Sequence, residues 1–112
     1  MTDRDNVGTI EDLHASATKI TGLTDFGDPS YLEGLTVLLE SYERDALLTP
    51  LGRKVARSFL RGALVARSLS EVGFAQHPES AAVRIERPIF VTGLPRTGTT
   101  ALHRLLTADP KP

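Results

Sequence analysis

The chain has 112 residues, of which 40% are apolar and 24% charged, and its formal net charge is −1. These values predict one ordinary globular domain without a global attraction for nucleic acid or an anionic membrane. Cysteine is absent, which excludes disulfides, thiolate metal sites and a cysteine nucleophile. Because no apolar run approaches the ~20 residues of a membrane span and the N-terminus lacks a signal peptide, we expect a cytoplasmic protein without a transmembrane segment.

The first predicted helix follows a polar stretch, residues 1–8, that we expect to fray. Thr9 and Asp12 have the spacing of a capping box, in which each side chain accepts from the other residue's amide. Apolar residues then recur at helical spacing, at Ile10, Leu13, Ala17 and Ile20. Gly22 is a typical stop signal, so the helix should end there.

Two further helices are predicted from repeated start signals, each an N-cap residue followed by proline. Asp28 and Pro29 begin the second helix, and a broad apolar stripe extends it to about Leu47. Thr49 and Pro50 begin the third, after so short a link that the two helices should form an antiparallel or steeply crossed pair.

The third helix has an apolar face and a basic strip. We expect this helix to end at residues 71–73. The residues predicted to face inward are Leu51, Val55, Phe59, Leu60, Ala63 and Leu64. A basic strip at a spacing of four consists of Arg53, Arg57 and Arg61. Such a strip is either a solvated face or a site for an acidic partner or a phosphate group.

Residues 74–86 break the helical pattern, and we interpret them as a connector that completes a helical segment, residues 1–86. His77 precedes a proline in this connector and should lie at the surface. His14 and His103 fall on predicted helices, without neighbouring ligands at metal spacing. We therefore expect structural or surface roles for the histidines and no metal site.

A strand, a glycine-bounded turn and a helix start follow one another in residues 87–100. Residues 89–91, Ile-Phe-Val, are β-forming residues and predict a buried strand. Gly93 and Gly98 bracket the next four residues, and a helix opens at Thr99. Such a turn aims backbone N–H groups at one point, where the helix N-terminus adds roughly half a positive charge. The sequence therefore predicts a site for an anion, most favourably a phosphate.

The loop departs from the usual nucleotide-binding pattern G-x-x-x-x-G-K-[ST]. Thr99 occupies the position of the lysine, and the basic residue is Arg96, inside the loop. Since a magnesium-nucleotide hydrolase depends on that lysine, an ordinary P-loop enzyme is disfavoured. A kinase or NTPase with an altered loop nevertheless stays open as an alternative, and it predicts magnesium-dependent binding of ATP or GTP.

At these residues the sequence resembles the nucleotide-dependent sulfotransferases, whose 5′-phosphosulfate-binding loop has the form P-[KR]-[ST]-G-T-T. Every position of that form is occupied here, by Pro95, Arg96, Thr97, Gly98, Thr99 and Thr100. Residues 87–110, and more weakly the helical segment before them, also resemble the bacterial branch of these enzymes. The resemblance implies that these six residues bind 3′-phosphoadenosine 5′-phosphosulfate, the sulfuryl donor, without a metal, and that the acceptor is a small-molecule hydroxyl compound.

By the same resemblance Arg96 is the catalytic residue, stabilising charge on the departing phosphate while the other loop residues supply hydrogen-bond donors. Arginine suits a planar oxyanion and cannot release a proton, so its role would be electrostatic and not that of a general acid. The family's catalytic base, usually a histidine, and the residues that hold the 3′-phosphate are expected beyond residue 112.

The implied architecture is an α/β fold, the three-layer, parallel-sheet P-loop fold of sulfotransferases. We expect this chain to be its N-terminal part, mostly helical, with one strand–phosphate loop–helix unit in residues 87–112. A lone strand needs neighbours to pair with, so we expect a longer fold and no activity from this chain alone. A third interpretation is a non-catalytic module whose second and third helices bind a partner.

Overall fold

Four α-helices provide most of the regular backbone of the computed structural model, which describes residues 6–110. They are α1 (Ile10–Thr21), α2 (Tyr31–Arg44), α3 (Pro50–Gln76) and α4 (Thr99–Thr107), and a short 3-10 helix spans Pro78–Ala82. The chain forms two compact units, Met1–Ala82 and Val83–Pro112. The first unit holds α1 to α3 and the 3-10 helix, and the second holds α4.

The predicted boundaries of α1 are confirmed. The Thr9 hydroxyl accepts from the Asp12 amide at 3.2 Å, and the Asp12 carboxylate accepts from the Thr9 amide at 3.4 Å. At the other end Gly22 adopts a left-handed conformation, with φ 72°, and its amide donates to the Thr18 carbonyl. Both ends are therefore set by interactions within a few residues, which is why the sequence predicts them.

The start of α3 is also confirmed, whereas both ends of α2 differ from the prediction. Thr49 caps α3 by accepting from the Gly52 amide at 3.0 Å. Asp28 instead accepts from the Ser30 amide at 2.9 Å, and this local turn delays α2 until Tyr31. At its C-terminal end α2 stops at Arg44, and Leu47 is 92% exposed with φ 45°, which is not helical.

The core of the first unit is small and centres on α1. Leu13, Ala17 and Leu64 are buried together, so that α1 packs against α3. The partly buried apolar residues around them are Phe26, Tyr31, Leu35, Leu39, Leu60 and Val65. A groove of about 560 Å³ lies between α2 and α3. Because the backbone of α2 packs against α1 and not directly against α3, the prediction that α2 and α3 form a packed pair is wrong.

The buried face of α3 is only partly the predicted one. Leu64 is buried and Leu60 packs against the core, as expected. Leu51, Val55, Phe59 and Ala63, however, are exposed, so the prediction that these four face inward is wrong. The helix also continues to Gln76, past the predicted end at residues 71–73. Apolar residues occupy two faces of this long helix, and only one of them meets α1.

Two of the three arginines in the basic strip of α3, Arg53 and Arg57, donate to backbone carbonyls. The Arg57 Nη1 donates to the Val7 carbonyl at 3.2 Å, and the Arg53 Nη1 donates to the Leu48 carbonyl at 3.0 Å. Val7 itself is buried. The prediction that residues 1–8 fray is wrong for Val7. Residues 1–5 of that stretch lie outside the described residues. Long arginine side chains can pack along apolar surface while their guanidinium groups satisfy carbonyls.

The predicted strand at residues 89–91 is not present. Within residues 6–110 the structure contains no strand, and residues 83–98 are irregular. Ile89 and Phe90 are 75% and 84% exposed. A strand is stabilised by hydrogen bonds to a neighbouring strand, and the described residues offer none. The parallel sheet of the expected fold is thus not seen in this part of the chain. Nor does any helix within residues 6–110 have the length and apolar character needed to cross a membrane.

Candidate functional site

The candidate site is the loop that leads into α4. The backbone turns at Pro95 and Arg96, and Arg96 adopts a left-handed conformation with φ 65°. Gly98, the N-cap of α4, is also left-handed, with φ 93° and ψ 12°. Two left-handed residues so close together reverse the chain sharply before the helix begins. The non-glycine residue in this conformation is the one basic side chain of the loop.

The loop is closed by contacts between its two ends. The Thr97 hydroxyl donates to the Leu94 carbonyl at 2.6 Å. A Cβ added to Gly93 would lie 3.0 Å from the Thr97 hydroxyl oxygen and 3.1 Å from the methyl carbon of Thr99. Glycine at position 93 therefore permits a close approach that any other residue would hinder. This packing requirement is the physical reason for the first glycine of the predicted pattern.

The N-terminus of α4 presents hydrogen-bond donors that no side chain caps. Gly98 has no side chain and makes no cap hydrogen bond. The first N–H to close an intrahelical bond is that of Leu102, which donates to the Gly98 carbonyl at 3.0 Å. The amides of the preceding three residues have no intrahelical acceptor, as at every helix start. With the helix dipole, they form a positive end that favours an anion.

A cleft of about 310 Å³ lies at this positive end, lined by Arg96, Gly98, Thr99, Thr100 and Ala101. The Arg96 side chain is exposed, and no carboxylate in residues 6–110 forms an ion pair with it. Its charge is therefore not neutralised by a described residue of this chain. The cleft combines a guanidinium, two hydroxyls and the amides of a helix start.

The structure thus brings four of the six predicted residues to one cleft. Pro95 forms the turn but does not line the cleft, and the proton of the Thr97 hydroxyl is donated to the Leu94 carbonyl. Thr97 can therefore offer its backbone amide or its hydroxyl lone pairs to a ligand, but not that proton. Ala101 lines the cleft as well. The sequence did not predict it, because a methyl side chain has no charge or hydrogen-bonding group.

The three histidines lie apart from any metal-type cluster. His14 Nδ1 is 2.7 Å from the Ile10 carbonyl and therefore carries the proton, so its Nε2 accepts from the Tyr31 hydroxyl at 2.6 Å. Partial burial raises the pKa of Tyr31, while Arg67, 4.2 Å above the ring, opposes that shift. His77 pairs with the nearby Glu79 at the surface. His103 is exposed on α4, one turn after Thr99.

No group of three His, Cys, Asp or Glu side chains that could hold a metal ion occurs in the described part of the chain. The residues that line the cleft provide fixed positive charge and hydrogen-bond donors. Both favour an anionic ligand with several oxygen atoms.

Comparison with known proteins shows a similarity to sulfotransferases. Residues 88–112, which include the loop and α4, match the model of the Sulfotransferase family. The chain is also 61% identical to the crystal structure of sulfotransferase STF1 from Mycobacterium tuberculosis H37Rv, with a TM-score of 0.87. This match covers 96% of the present chain and 30% of the solved one. None of the curated proteins compared with the chain matches it.

The two matches differ in length. The family model covers the loop region, whereas the solved structure matches nearly the whole chain. The chain spans about 30% of the length of the solved sulfotransferase. Over that length the helices and the loop share its fold. The resemblance predicted from the loop motif is confirmed, since the chain is similar to a segment of a solved sulfotransferase and its loop region matches the family model.

Proposed function

We propose that this chain is the donor-binding part of a sulfotransferase, in which the loop before α4 binds the phosphosulfate group of 3′-phosphoadenosine 5′-phosphosulfate. The observation that supports this function best is the cleft itself. Arg96, without an ion pair among the described residues, lies beside the uncapped amides of the start of α4. The similarity to sulfotransferases supports the reaction type, and the motif from Pro95 to Thr100 supports the donor.

The residues at the cleft fit a phosphosulfate group. Such a group has several anionic oxygens that accept hydrogen bonds, and the cleft offers backbone amides, the Thr99 and Thr100 hydroxyls and one guanidinium. The absent side chain of Gly98 leaves the helix start open to a ligand. The close approach at Gly93 fixes the loop shape, so that the donors are oriented before a ligand arrives.

Arg96 would act through its charge. When bound, the donor supplies the sulfuryl group for transfer to a hydroxyl acceptor. As that group leaves, negative charge grows on the phosphate oxygen that it was bonded to. A guanidinium does not give up its proton at neutral pH, so Arg96 would stabilise this charge electrostatically, together with the helix amides. The Thr97 hydroxyl, already bonded to the Leu94 carbonyl, would hold the loop in shape.

The remaining parts of the reaction belong to the rest of a sulfotransferase domain in this proposal. These are the base that receives the acceptor proton, the groups that hold the 3′-phosphate, and the pocket that selects a small-molecule hydroxyl acceptor. The strand predicted at residues 89–91 would form when that domain supplies strands to pair with it. In this proposal residues 1–86 are the helical segment and residues 87–112 begin the α/β domain.

The proposal can be tested in a chimera, in which this chain replaces the corresponding segment of the mycobacterial sulfotransferase. Isothermal titration calorimetry would measure binding of 3′-phosphoadenosine 5′-phosphate without metal, and of ATP with Mg²⁺. We expect metal-independent binding of the first ligand. Arg96→Ala should lower the rate of sulfuryl transfer by about 10²-fold, the effect of losing one preorganised charge donor.

Arg104→Ala is the matched control, since it removes the same charge from the last turn of the same helix. It should leave the transfer rate within about twofold, because the helix-terminus effect is confined to the first turn. A full rate in the Arg96→Ala chimera would refute the role of Arg96. Preference for ATP with Mg²⁺ would instead support a P-loop kinase or NTPase and refute the sulfotransferase assignment.

A further inference from the structure

An uncharged, exposed face runs along one side of α3, and only Ala66 among its residues also lines the groove beside α2. We call it the outer face of α3. It consists of Leu51, Val55, Phe59, Gly62, Ala66 and Leu69. The four large residues among them are 70%, 47%, 76% and 54% exposed, in chain order. Their spacing of three and four residues aligns them on one side of the helix over about 27 Å.

The opposite side of α3 already provides the core of the helical unit. Leu64 and Leu60 pack there toward α1, and Arg57 reaches the Val7 carbonyl. Helix α3 is thus apolar on two sides, which is the pattern of a helix buried within a larger protein and not of a surface helix. A contiguous apolar surface of this length on a soluble chain marks an interface.

The small residues of the outer face also indicate a close neighbour. A Cβ added to Gly62 would meet no atom within 4 Å, so nothing in the helical unit requires glycine there. Glycine inside a helix is destabilising relative to alanine, and no local turn explains it. The open space in front of Gly62 permits another backbone to approach α3 closely at this position.

We propose that the outer face of α3 is the surface on which the rest of a sulfotransferase domain packs, whether on the same polypeptide or on a separate one. The match to the mycobacterial sulfotransferase supports this occupant. In that protein a segment 61% identical to this chain accounts for 30% of the length, so the same helices exist beside a much larger remainder. This inference rests on the similarity to that sulfotransferase and does not depend on donor binding by the loop.

Co-expression tests the proposal. The 112-residue chain, carrying an affinity tag, is produced together with the segment of the mycobacterial sulfotransferase that it does not span. Size-exclusion chromatography with light scattering then measures the complex. We expect a 1:1 complex whose yield falls at least tenfold with Val55→Asp. The matched control is Val37→Asp on α2, where the valine is 60% exposed, and it should leave the yield unchanged.

Two further variants separate a loss of packing from misfolding and from a loss of donor binding. Leu69→Asp, at the other end of the outer face, should reproduce the loss if circular dichroism shows that Val55→Asp is misfolded. Arg96→Ala should keep the complex intact, so failure of donor binding and failure of packing are separable. The proposal is overturned if no complex forms, or if Val55→Asp and Val37→Asp behave alike. A homodimer of the chain that Val55→Asp dissociates would also overturn it, in favour of a second copy as the occupant.

Discussion

Replacing Gly98 with alanine tests whether the ligand binds to the backbone conformation seen at the start of α4. Gly98 has φ 93° and ψ 12°, and an added Cβ would meet no atom within 4 Å. The cost of alanine therefore comes from the backbone alone, about 1–2 kcal/mol for an L-residue in the left-handed region. If the variant loop relaxes when free and must regain this conformation to bind, affinity for the donor falls by about 5- to 30-fold.

The assay is calorimetric titration of the chimera with 3′-phosphoadenosine 5′-phosphate. Gly22→Ala is the matched control, because Gly22 also has a positive φ, 72°, and open space around it, but ends α1 in the helical unit. Both variants should lower the melting temperature, and only Gly98→Ala should weaken binding. An unchanged dissociation constant for Gly98→Ala, or an equal loss in both variants, would refute the reasoning.

Two further predictions concern the stability of the helical unit. Leu13→Ala should lower the free energy of unfolding by about 2–5 kcal/mol, because the side chain is fully buried, whereas Leu47→Ala, at a 92% exposed position, should change it by less than about 0.5 kcal/mol. Equal effects in urea unfolding would contradict the core described above. Hydrogen bonds from Ser30, and then the charge of Arg67, lower the pKa of Asp28 below its ordinary value of 3.8. The carboxylate thus stabilises the folded state above that pH and loses this contribution as pH falls through the folded pKa. Asp28→Asn should flatten the acid limb of the stability curve, and parallel curves for the two proteins would disprove it.

The loop before α4 and the outer face of α3 differ in what they need from the rest of a protein. The loop before α4 is shaped by contacts within a few residues, at Gly93, Thr97 and Gly98. The outer face of α3, in contrast, is apolar surface that is stabilised only when something covers it. A chain that binds anions weakly and forms a complex with the rest of a sulfotransferase domain would agree with both.

Local signals allowed the sequence to predict several helix boundaries and the loop. The capping box at Thr9, the left-handed Gly22 and the cap at Thr49 act within four residues, so neighbouring residues suffice to specify them. The same holds for the glycine-bounded loop and for the start of α4 after Gly98. The family resemblance depended on these residues, and it was confirmed by comparison.

The tertiary structure decided which surfaces are buried and which segments find partners. Periodicity showed that α3 is apolar, but not which of its two apolar faces meets α1, since that depends on residues far away in sequence. The burial of Val7 also involves residues far away in sequence. Arg57, fifty positions later, donates a hydrogen bond to its carbonyl. The predicted strand at residues 89–91 was wrong for the described residues because β-structure requires a partner strand. A sequence pattern records what a segment can bury, whereas the neighbours that are present determine what it does bury.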